Sequence, residues 1–462
     1  MTSNHYDLII VGAGSGNMIP GAVDLSDWRV AIVEESKIGG TCLNRGCIPS
    51  KILVYTADIA DAIAHCGRYN ITASTQGVDW PAITTRVWDR IDPIHQAGVD
   101  YRLRHGFDVY QHRARFTGPK SIEVDGKTLT ADRFVISAGA RVAIPTLPGL
   151  ETVAYETSDT IMRIAEIPKR LVVLGGGFIA TELGHVFAAL GSKVTIIGRR
   201  EVLLPAEDHD IAEAFTVAAR EWADLMLGAE PRRVWATEDG IAVEVPTARG
   251  LTVVEGDTLL VTVGRQPNSD ILDVHAAGVA TDSNGFIRVD ETYATSAEGI
   301  WALGDIVGFH QLKHTANIEA RIVAHNLRTS GALPRTRDLR PAPHAVFSTP
   351  QVASVGFTEA SALAAGIDAV TVTRYYRDAA YGWALEDTTS FVKLLADPGS
   401  RLLIGAHIIG PQASNLLQLL VQGMHLGATI DDLASGQIYI HPALSEVVEQ
   451  ALLDLIEAVD RQ

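Results

Sequence analysis

The sequence predicts an α/β fold in which two similar β–α–β units precede a third, α+β region. In the first observation, Tyr6–Gly16 and Arg170–Ala180 are each an aliphatic run that ends in a glycine-rich turn. In the second, each turn is followed by a helical stretch and another buried strand, Arg29–Glu34 or Lys193–Ile197. The third is length, because 462 residues correspond to about three domains. Strands that alternate with helices form parallel sheets.

Later segments extend this pattern. Phe134–Gly139 and Leu259–Gly264 each form a strand that ends in glycine, which supports a duplicated layout of two Rossmann-like domains. Gly299–Asp305 is another strand and turn, and we expect the chain to return there to the first domain. The third region should hold a mixed sheet and two helices, with strands at Ala345–Phe347, Thr371–Tyr375, Phe391–Leu394 and Gly405–Ile409 and helices at Asn415–Leu426 and Ser445–Val459. The predicted domains are 1–148 with 270–338, 149–269, and 339–462.

Composition excludes several classes of function. Lys and Arg number 38 against 55 Asp and Glu, a net charge of −17, which argues against binding nucleic acid or an anionic membrane. Three cysteines are too few for a disulfide-stapled secreted scaffold. We find no signal peptide and no apolar run long enough to span a bilayer, so we expect a cytoplasmic protein.

The first glycine-rich turn fits a dinucleotide fingerprint. Gly12 permits the tight turn, and Gly14 lets the backbone approach a diphosphate at the helix N-terminus. Gly16 follows, but Asn17 stands at the third glycine position, which should loosen helix–strand packing or be compensated locally. Glu34 ends the next strand about twenty residues on, where a carboxylate holds ribose hydroxyls.

The second glycine-rich turn fits the same fingerprint through Gly175, Gly177 and Ala180. No carboxylate ends its second strand, and Arg199 and Arg200 follow instead. Arginines at this place bind a 2′-phosphate through charge-assisted hydrogen bonds, so NADPH is favoured over NADH. The alternative is that the two arginines are only a solvated turn.

A cysteine pair lies between these units. In a regular helix five residues rise about 7.5 Å, whereas disulfide-bonded Cα atoms lie roughly 4.4–6.8 Å apart, so the segment from Cys42 to Cys47 must bend. Gly46 supplies backbone freedom, and Pro49 suits the first turn of a helix that starts after Cys47. A thiolate at this helix N-terminus has a lowered pKa. The pattern indicates a redox-active pair, with a zinc half-site or two inert thiols as alternatives; Cys66 is interpreted as a small buried hydrophobe.

His441 and Glu446 form a second candidate group near the C-terminus. A structural histidine at a strand end is the ordinary interpretation. Disulfide chemistry, however, needs an acid that protonates the departing thiolate, and a histidine held by a carboxylate suits that role near neutral pH.

The Gly39–Lys51 segment and the His441–Glu446 segment together resemble the pyridine nucleotide–disulfide oxidoreductases, and the resemblance covers essentially the whole chain. It implies FAD in the first domain, NADPH in the second, a third domain that forms a homodimer, and no metal. Asp305 would contact the ribityl chain, and Lys51 and Glu182 would form a charge pair beside the flavin. The predicted cofactor-binding residues are Gly12, Gly14, Gly16, Glu34, Gly40, Thr41, Lys51, Gly139, Gly304, Asp305 and Ala316, with Gly175, Gly177, Ile179, Ala180, Glu182, Arg199, Arg200 and Gly264.

The resemblance also bears on the choice of nicotinamide. Gly198 stands where members that use NAD carry an acid. Members that use NADPH bind the 2′-phosphate with two arginines. Arg199 matches the first of them, whereas Pro205 stands at the position of the second. Arg200 must therefore replace that second arginine, or the affinity for NADPH is lower.

The resemblance implies a catalytic sequence. Electrons pass from NADPH through FAD to a Cys42–Cys47 disulfide, with Cys47 nearest the flavin. Cys42 is the exposed nucleophile that forms a mixed disulfide with substrate. His441, contributed by the partner subunit, protonates the leaving thiol, and Glu446 orients the imidazole.

Several segments resemble the members that reduce mycothiol disulfide, a small disulfide that carries sugar and inositol. Arg45 and Tyr439 are candidate lining residues, with a structural role as the alternative. Glutathione disulfide and lipoamide are the alternative substrates, and a flavin-binding redox sensor without turnover is the alternative class. The segments are Gly14–Asn17, Arg90–Ile94, Thr157–Arg163, Tyr381–Asp387 and Gln437–Pro442.

Overall fold

The computed structural model describes residues 4–248, 250–329 and 333–461. Its strands are β1 (His5–Val11), β2 (Val30–Val33), β3 (Asp108–Tyr110), β4 (Ala114–Gly118), β5 (Ser121–Val124), β6 (Lys127–Ile136), β7 (Ala140–Val142), β8 (Glu156–Thr157), β9 (Arg170–Leu174), β10 (Lys193–Gly198), β11 (Ala223–Leu227), β12 (Arg233–Thr237), β13 (Gly240–Thr247), β14 (Gly250–Gly256), β15 (Thr258–Val261), β16 (Arg265–Pro267), β17 (Ile300–Ala302), β18 (His344–Val346), β19 (Val352–Gly356), β20 (Val370–Tyr375), β21 (Phe391–Asp397) and β22 (Leu402–Ile409). Its α-helices are α1 (Ile19–Ala22), α2 (Gly40–Arg45), α3 (Cys47–His65), α4 (Trp80–Arg104), α5 (Phe178–Ala189), α6 (His209–Ala219), α7 (Lys313–Arg328), α8 (Glu359–Ala364), α9 (Ala380–Ala384), α10 (Ala413–Leu426), α11 (Ile430–Ser435) and α12 (Ser445–Asp460).

The chain divides into two compact units, each built from three segments. The first unit comprises Met1–Ser50, Pro81–Ala143 and Gly264–Leu339, and the second comprises Lys51–Trp80, Ile144–Val263 and Arg340–Gln462. The three-domain division at 1–148 with 270–338, 149–269 and 339–462 stays a prediction. None of the helices in the described residues is both long and apolar enough to cross a membrane.

A parallel sheet forms the centre of the first unit. β1 pairs in parallel with β2 and β6, and β2 with β3. Ile9 and Val11 of β1 pack in one apolar cluster, whereas Leu8 and Ile10 pack in another, so both faces of the sheet are buried. β17 pairs in parallel with β6, which confirms that the chain returns to this sheet.

The second unit contains a parallel sheet of the same design, in the order β11-β10-β9-β15-β8. The strand that leads into its glycine-rich turn, β9, lies between β10 and β15, just as β1 lies between β2 and β6. The duplicated α/β layout is therefore confirmed.

A five-stranded sheet in the order β18-β19-β22-β21-β20 follows in the second unit, with α10 and α12 packed in its apolar core. The expectation of a mixed sheet is wrong, because every pairing in this sheet is antiparallel. Short connections such as that between β21 and β22 favour antiparallel hairpins over crossovers. The sequence prediction also missed β19, a short strand that comes soon after a proline and ends in a glycine.

Candidate functional site

The cysteine pair lies where two helices meet. α2 contains Cys42 and ends at Arg45, and Cys47 begins α3, so the chain breaks at Gly46 as the spacing predicts. The buried amide of Asn44 donates hydrogen bonds to the carbonyl oxygens of residues 37, 38 and 40, at 3.0 to 3.2 Å, and fixes the entry to α2. Both cysteines are free thiols, and the Cys42 thiol donates a hydrogen bond to Cys47.

The two cysteines differ in exposure and in proton affinity. In the chain by itself Cys47 is exposed and Cys42 is half-buried, and the assignment of Cys42 as the thiol that attacks substrate stays a prediction. Cys42 lies inside α2, whereas Cys47 is the first residue of α3 and no preceding turn covers it. The hydrogen bond to Cys47 and then burial raise the pKa of Cys42, while the Lys313 ammonium opposes them. These contacts keep the proton on Cys42. Cys47 begins α3, and a helix N-terminus is a position that favours a thiolate.

The first glycine-rich turn contacts the cysteine segment. A Cβ atom on Gly40 would lie 2.6 Å from the Cα of Gly14, so the cysteine segment has no room for a side chain at Gly40. Ala13 O accepts a hydrogen bond from Gly39 N at 3.0 Å, and Thr41 is half-buried in the next turn. The backbone of the turn is therefore open to close approach by a diphosphate, as the fingerprint requires.

The departure at Asn17 is compensated by Gly16. A Cβ atom on Gly16 would overlap the Ser137 hydroxyl at the end of β6, so Gly16 provides the close approach expected of the third glycine. Gly12 begins the turn with φ of +98°. The Asn17 side chain is thereby left outside the packing and accepts a hydrogen bond from Arg102.

Glu34 lies beside the same turn. Its two carboxylate oxygens accept hydrogen bonds from the backbone of Ala13, at 2.7 Å, and Ser36, at 2.9 Å. Burial raises the pKa of Glu34, and these two hydrogen bonds oppose that effect. A carboxylate held here at the end of β2 fits a ribose partner.

The predicted cofactor-binding residues Gly304 and Asp305 follow β17. Gly304 and Asp305 begin a 3₁₀ turn, and a Cβ atom on Gly304 would contact Ala316 of α7 at 3.6 Å. Burial raises the pKa of Asp305, and Arg265, 3.8 Å away, opposes it. The sequence prediction missed Glu319, which accepts a hydrogen bond from Gly304 N at 2.6 Å and whose pKa burial raises to about 7.

Gly139 and Gly264 flank a small two-stranded sheet in the first unit. β7 pairs antiparallel with β16, and Gly264 O accepts a hydrogen bond from Ala143 N at 2.9 Å. Gly139 O accepts one from Asn268 N at 3.1 Å. Both predicted cofactor residues therefore lie directly before a short strand, with positive φ angles.

The predicted charge pair is formed. Lys51 of α3 lies 2.6 Å from the Glu182 carboxylate of α5, and its ammonium stacks 4.6 Å from the ring centre of Phe347. Glu182 also accepts a hydrogen bond from Phe347 N at 2.9 Å. Burial raises the pKa of Glu182, and the Lys51 ammonium opposes it.

The second glycine-rich turn leads into a full helix. Gly175 follows β9, and Gly177 caps the twelve-residue helix α5. Ala180 is completely buried and Ile179 half-buried. The positive end of α5 is available to a diphosphate.

Beyond β10 the chain carries the two arginines. Arg199 and Arg200 are both exposed. Gly198 is buried, and a Cβ atom on it would lie 2.8 Å from the Leu227 side chain. No acid occupies the strand end, which fits a nicotinamide bearing a 2′-phosphate.

His441 and Glu446 are in contact. The Nδ1 atom of His441 lies 2.6 Å from Oε1 of Glu446, and Oε2 accepts a hydrogen bond from Ala443 N at 3.2 Å. The hydrogen bond from His441 lowers the pKa of Glu446, so the carboxylate stays ionised. The imidazole itself is exposed, which leaves its Nε2 atom free to face another molecule. The Tyr439 hydroxyl, in contrast, donates a hydrogen bond to Leu433 O at 2.8 Å.

The predicted site residues thus gather in two sets. The first unit holds the first glycine-rich turn, the cysteines and the Gly304–Asp305 motif, and the second holds the Lys51–Glu182 pair, the second turn and the His441–Glu446 pair. Arg102 and Lys313 also contact the first turn, and no motif identified them. Among the described residues, no group of three or more His, Cys, Asp or Glu could hold a metal ion.

Two family profiles match the chain. Residues 6–326 match pyridine nucleotide-disulphide oxidoreductase, and residues 342–452 match the dimerisation domain of the same family.

Characterised relatives cover nearly the whole chain. Mycothione reductase of Mycobacterium tuberculosis is 45% identical, over 97% of this chain and 99% of that protein. Mercuric reductase of Staphylococcus aureus is 33% identical, over 93% of this chain and 79% of that protein. Dihydrolipoyl dehydrogenase of Haloferax volcanii is 32% identical, over 96% of this chain and 95% of that protein.

A solved structure shares the fold. The HOCl-induced flavoprotein disulfide reductase RclA from Escherichia coli superposes with a TM-score of 0.84 at 30% identity, over 98% of this chain and 99% of that chain. The sequence motifs, the two parallel sheets and these matches agree. The chain therefore belongs to the pyridine nucleotide-disulphide oxidoreductases, enzymes that use FAD and NAD(P)H.

Proposed function

We propose that this protein reduces mycothiol disulfide to mycothiol with electrons from NADPH. The observation that carries the proposal is 45% identity to mycothione reductase over 97% of this chain and 99% of that protein. The reducing cytoplasm is the proposed compartment, since free thiols persist there.

The residues of this chain fit both cofactors. The first turn, Glu34 and Asp305 would hold FAD, and the second turn with Arg199 and Arg200 would hold NADPH. When bound, these cofactors supply the two electrons that convert the Cys42–Cys47 disulfide into the dithiol.

The dithiol then carries out two exchange steps. The Cys42 sulfur, after its proton moves to the His441 imidazole, attacks one sulfur of the substrate disulfide. A mixed disulfide forms on Cys42, and the first substrate thiolate leaves. The Cys47 thiolate next attacks the Cys42 sulfur, which restores the protein disulfide and releases the second thiolate.

His441 accepts and donates the proton that moves during the first exchange step. Its imidazolium returns the proton to the first departing thiolate, and solvent supplies the second thiolate with the proton that Cys47 had lost. Two thiols are therefore formed for each disulfide consumed. Glu446 is a positioning residue, because it contacts the imidazole at 2.6 Å and fixes which ring nitrogen carries hydrogen.

We assign the active form to a homodimer in which His441 serves the cysteine pair of the partner subunit. The match to a family dimerisation domain over residues 342–452 and the exposure of the imidazole support this assignment. A monomer should be inactive.

The first experiment is an initial-rate panel with NADPH and four acceptors: mycothiol disulfide, glutathione disulfide, lipoamide and mercuric ion. We expect selective turnover of mycothiol disulfide. Selective turnover of glutathione disulfide or lipoamide would contradict the proposed substrate but would agree with the proposed mechanism. A protein that reduces none of them while its flavin is still reduced by NADPH would contradict the proposed function itself.

The double substitution of Arg199→Ala with Arg200→Ala should erode the preference for NADPH over NADH. Charge-assisted hydrogen bonds to the 2′-phosphate are lost, so we expect the ratio of kcat/KM values to fall about tenfold or more. Arg220→Ala, which removes another exposed arginine of the same unit, should leave the ratio unchanged. An unchanged ratio in the double variant would refute the assigned 2′-phosphate site.

A further inference from the structure

The helix after the first glycine-rich turn is unusually short. After a 3₁₀ turn at Gly16–Met18, α1 comprises only Ile19–Ala22 and includes Pro20, which has no N–H group. In the second nucleotide unit, α5 has twelve residues. Because the charge at a helix N-terminus arises from aligned peptide dipoles, α1 can supply little of the positive potential that a diphosphate needs.

A guanidinium group reaches this turn from one side. Arg102 Nε, near the end of α4, donates a hydrogen bond to Asn17 Oδ1 at 2.6 Å, and another of its nitrogens donates to Gly98 O. Both acceptors are neutral, and among the described residues no carboxylate pairs with this half-buried cation. α4 is held against the turn because Val99 packs in the cluster that contains Ala13 and Ile19.

An ammonium group reaches the turn from the other side. Lys313, the first residue of α7, donates a hydrogen bond from Nζ to the hydroxyl of the buried Ser15 at 3.0 Å. The Ser15 hydroxyl in turn donates to Asn317 Oδ1 at 3.3 Å. The Lys313 ammonium therefore contacts the turn through a neutral hydroxyl, and it also lies close enough to Asp305 and Cys42 to interact with their charges.

We propose that Arg102 and Lys313 together bind the diphosphate of FAD and supply the positive charge that the short helix α1 cannot provide. They contact the residues on either side of Gly16, the position at which the turn approaches β6. A diphosphate on the turn would lie near both cations, and each would form charge-assisted hydrogen bonds with it. The proposal rests on the assignment of the first turn to FAD.

The test is the rate at which the holoenzyme releases FAD after dilution, followed by the rise in flavin fluorescence. Arg102→Met and Lys313→Met should each release FAD about tenfold faster or more, because each loses a charge-assisted hydrogen bond. Arg104→Met and Arg321→Met are matched controls, since they remove exposed arginines of the same two helices and should release FAD at the wild-type rate.

Two further variants separate charge from structure. Arg102→Lys and Lys313→Arg keep the cation and should retain FAD nearly as well as the wild type, whereas Asn17→Ala should have little effect. Release at the control rate in either methionine variant would overturn the proposal. An Asn17→Ala variant that releases FAD as fast as Arg102→Met would also overturn the proposal, because Arg102 would then act only by holding the Asn17 side chain in place. Wild-type protein that carries no FAD would instead refute the assignment of the first turn.

Discussion

Replacement of Cys42 by serine is expected to lower disulfide turnover at least about a thousandfold, because the covalent route through a mixed disulfide is removed. Reduction of the flavin by NADPH should persist, since the residues assigned to both cofactors are untouched. The measurements are steady-state turnover of the disulfide and anaerobic bleaching of the flavin absorbance. Loss of flavin reduction would contradict the role assigned to Cys42.

The matched variant is Cys47→Ser, which keeps the attacking thiol and removes the resolving one. One equivalent of substrate thiol should be released, and mass spectrometry should find the other bound to Cys42. Cys66→Ser is the control, because the Cys66 thiol only donates hydrogen bonds to Ile63 O and Ile71 O.

This pair of variants also tests the exposure of the two cysteines. Cys47 is the more exposed, whereas the resemblance to the family assigns attack to Cys42. If Cys42→Ser becomes labelled by substrate at Cys47 and Cys47→Ser does not become labelled at Cys42, the two roles must be exchanged.

Replacement of His441 by glutamine should lower turnover about 10²–10⁴-fold, the usual contribution of a general acid–base. Flavin reduction by NADPH should again be unaffected. His209→Gln is the matched control, because His209 forms a comparable contact of 3.1 Å with Glu213 on the surface of α6. Equal losses in the two variants would rule out a specific role for His441.

Glu446→Gln should have a smaller effect than His441→Gln, since Glu446 acts through the imidazole. The hydrogen bond from His441 lowers the pKa of Glu446, so the carboxylate is ionised at neutral pH and the contact weakens only as the pH falls through that lowered pKa. The variant should therefore lose activity at neutral pH and have a changed pH profile. A profile identical to that of the wild type would show that Glu446 does not orient His441.

Local patterns predicted much of the fold and the site. The two glycine-rich turns, the return of β17 to the first sheet and the start of α3 at Cys47 follow from short-range rules of chain geometry. The contact between His441 and Glu446 could also be predicted, because the glutamate follows the histidine five positions later with a proline between them.

What could not be predicted depends on tertiary contacts. In the third sheet β19 pairs with β22, about fifty residues later in the chain, and a short strand held by such a distant partner gives no local signal. Arg102 and Lys313 come from α4 and α7 and belong to no motif. The exposure of Cys47 relative to Cys42 depends on how α2 and α3 meet, which spacing alone does not define.

The pairing of β17 with β6 has a consequence for biosynthesis. β6 is made early, yet its last three residues, Phe134–Ile136, pair with β17 on one edge. At about 5–20 residues per second a ribosome delivers β17 roughly ten to thirty seconds after β6. Until then the nascent chain presents an apolar strand edge without its native neighbour, a known hazard for aggregation. β9, β10, β11 and β15 all emerge within that interval, so the sheet that starts first is completed only after the second sheet, and chaperone protection matters most until β17 has emerged.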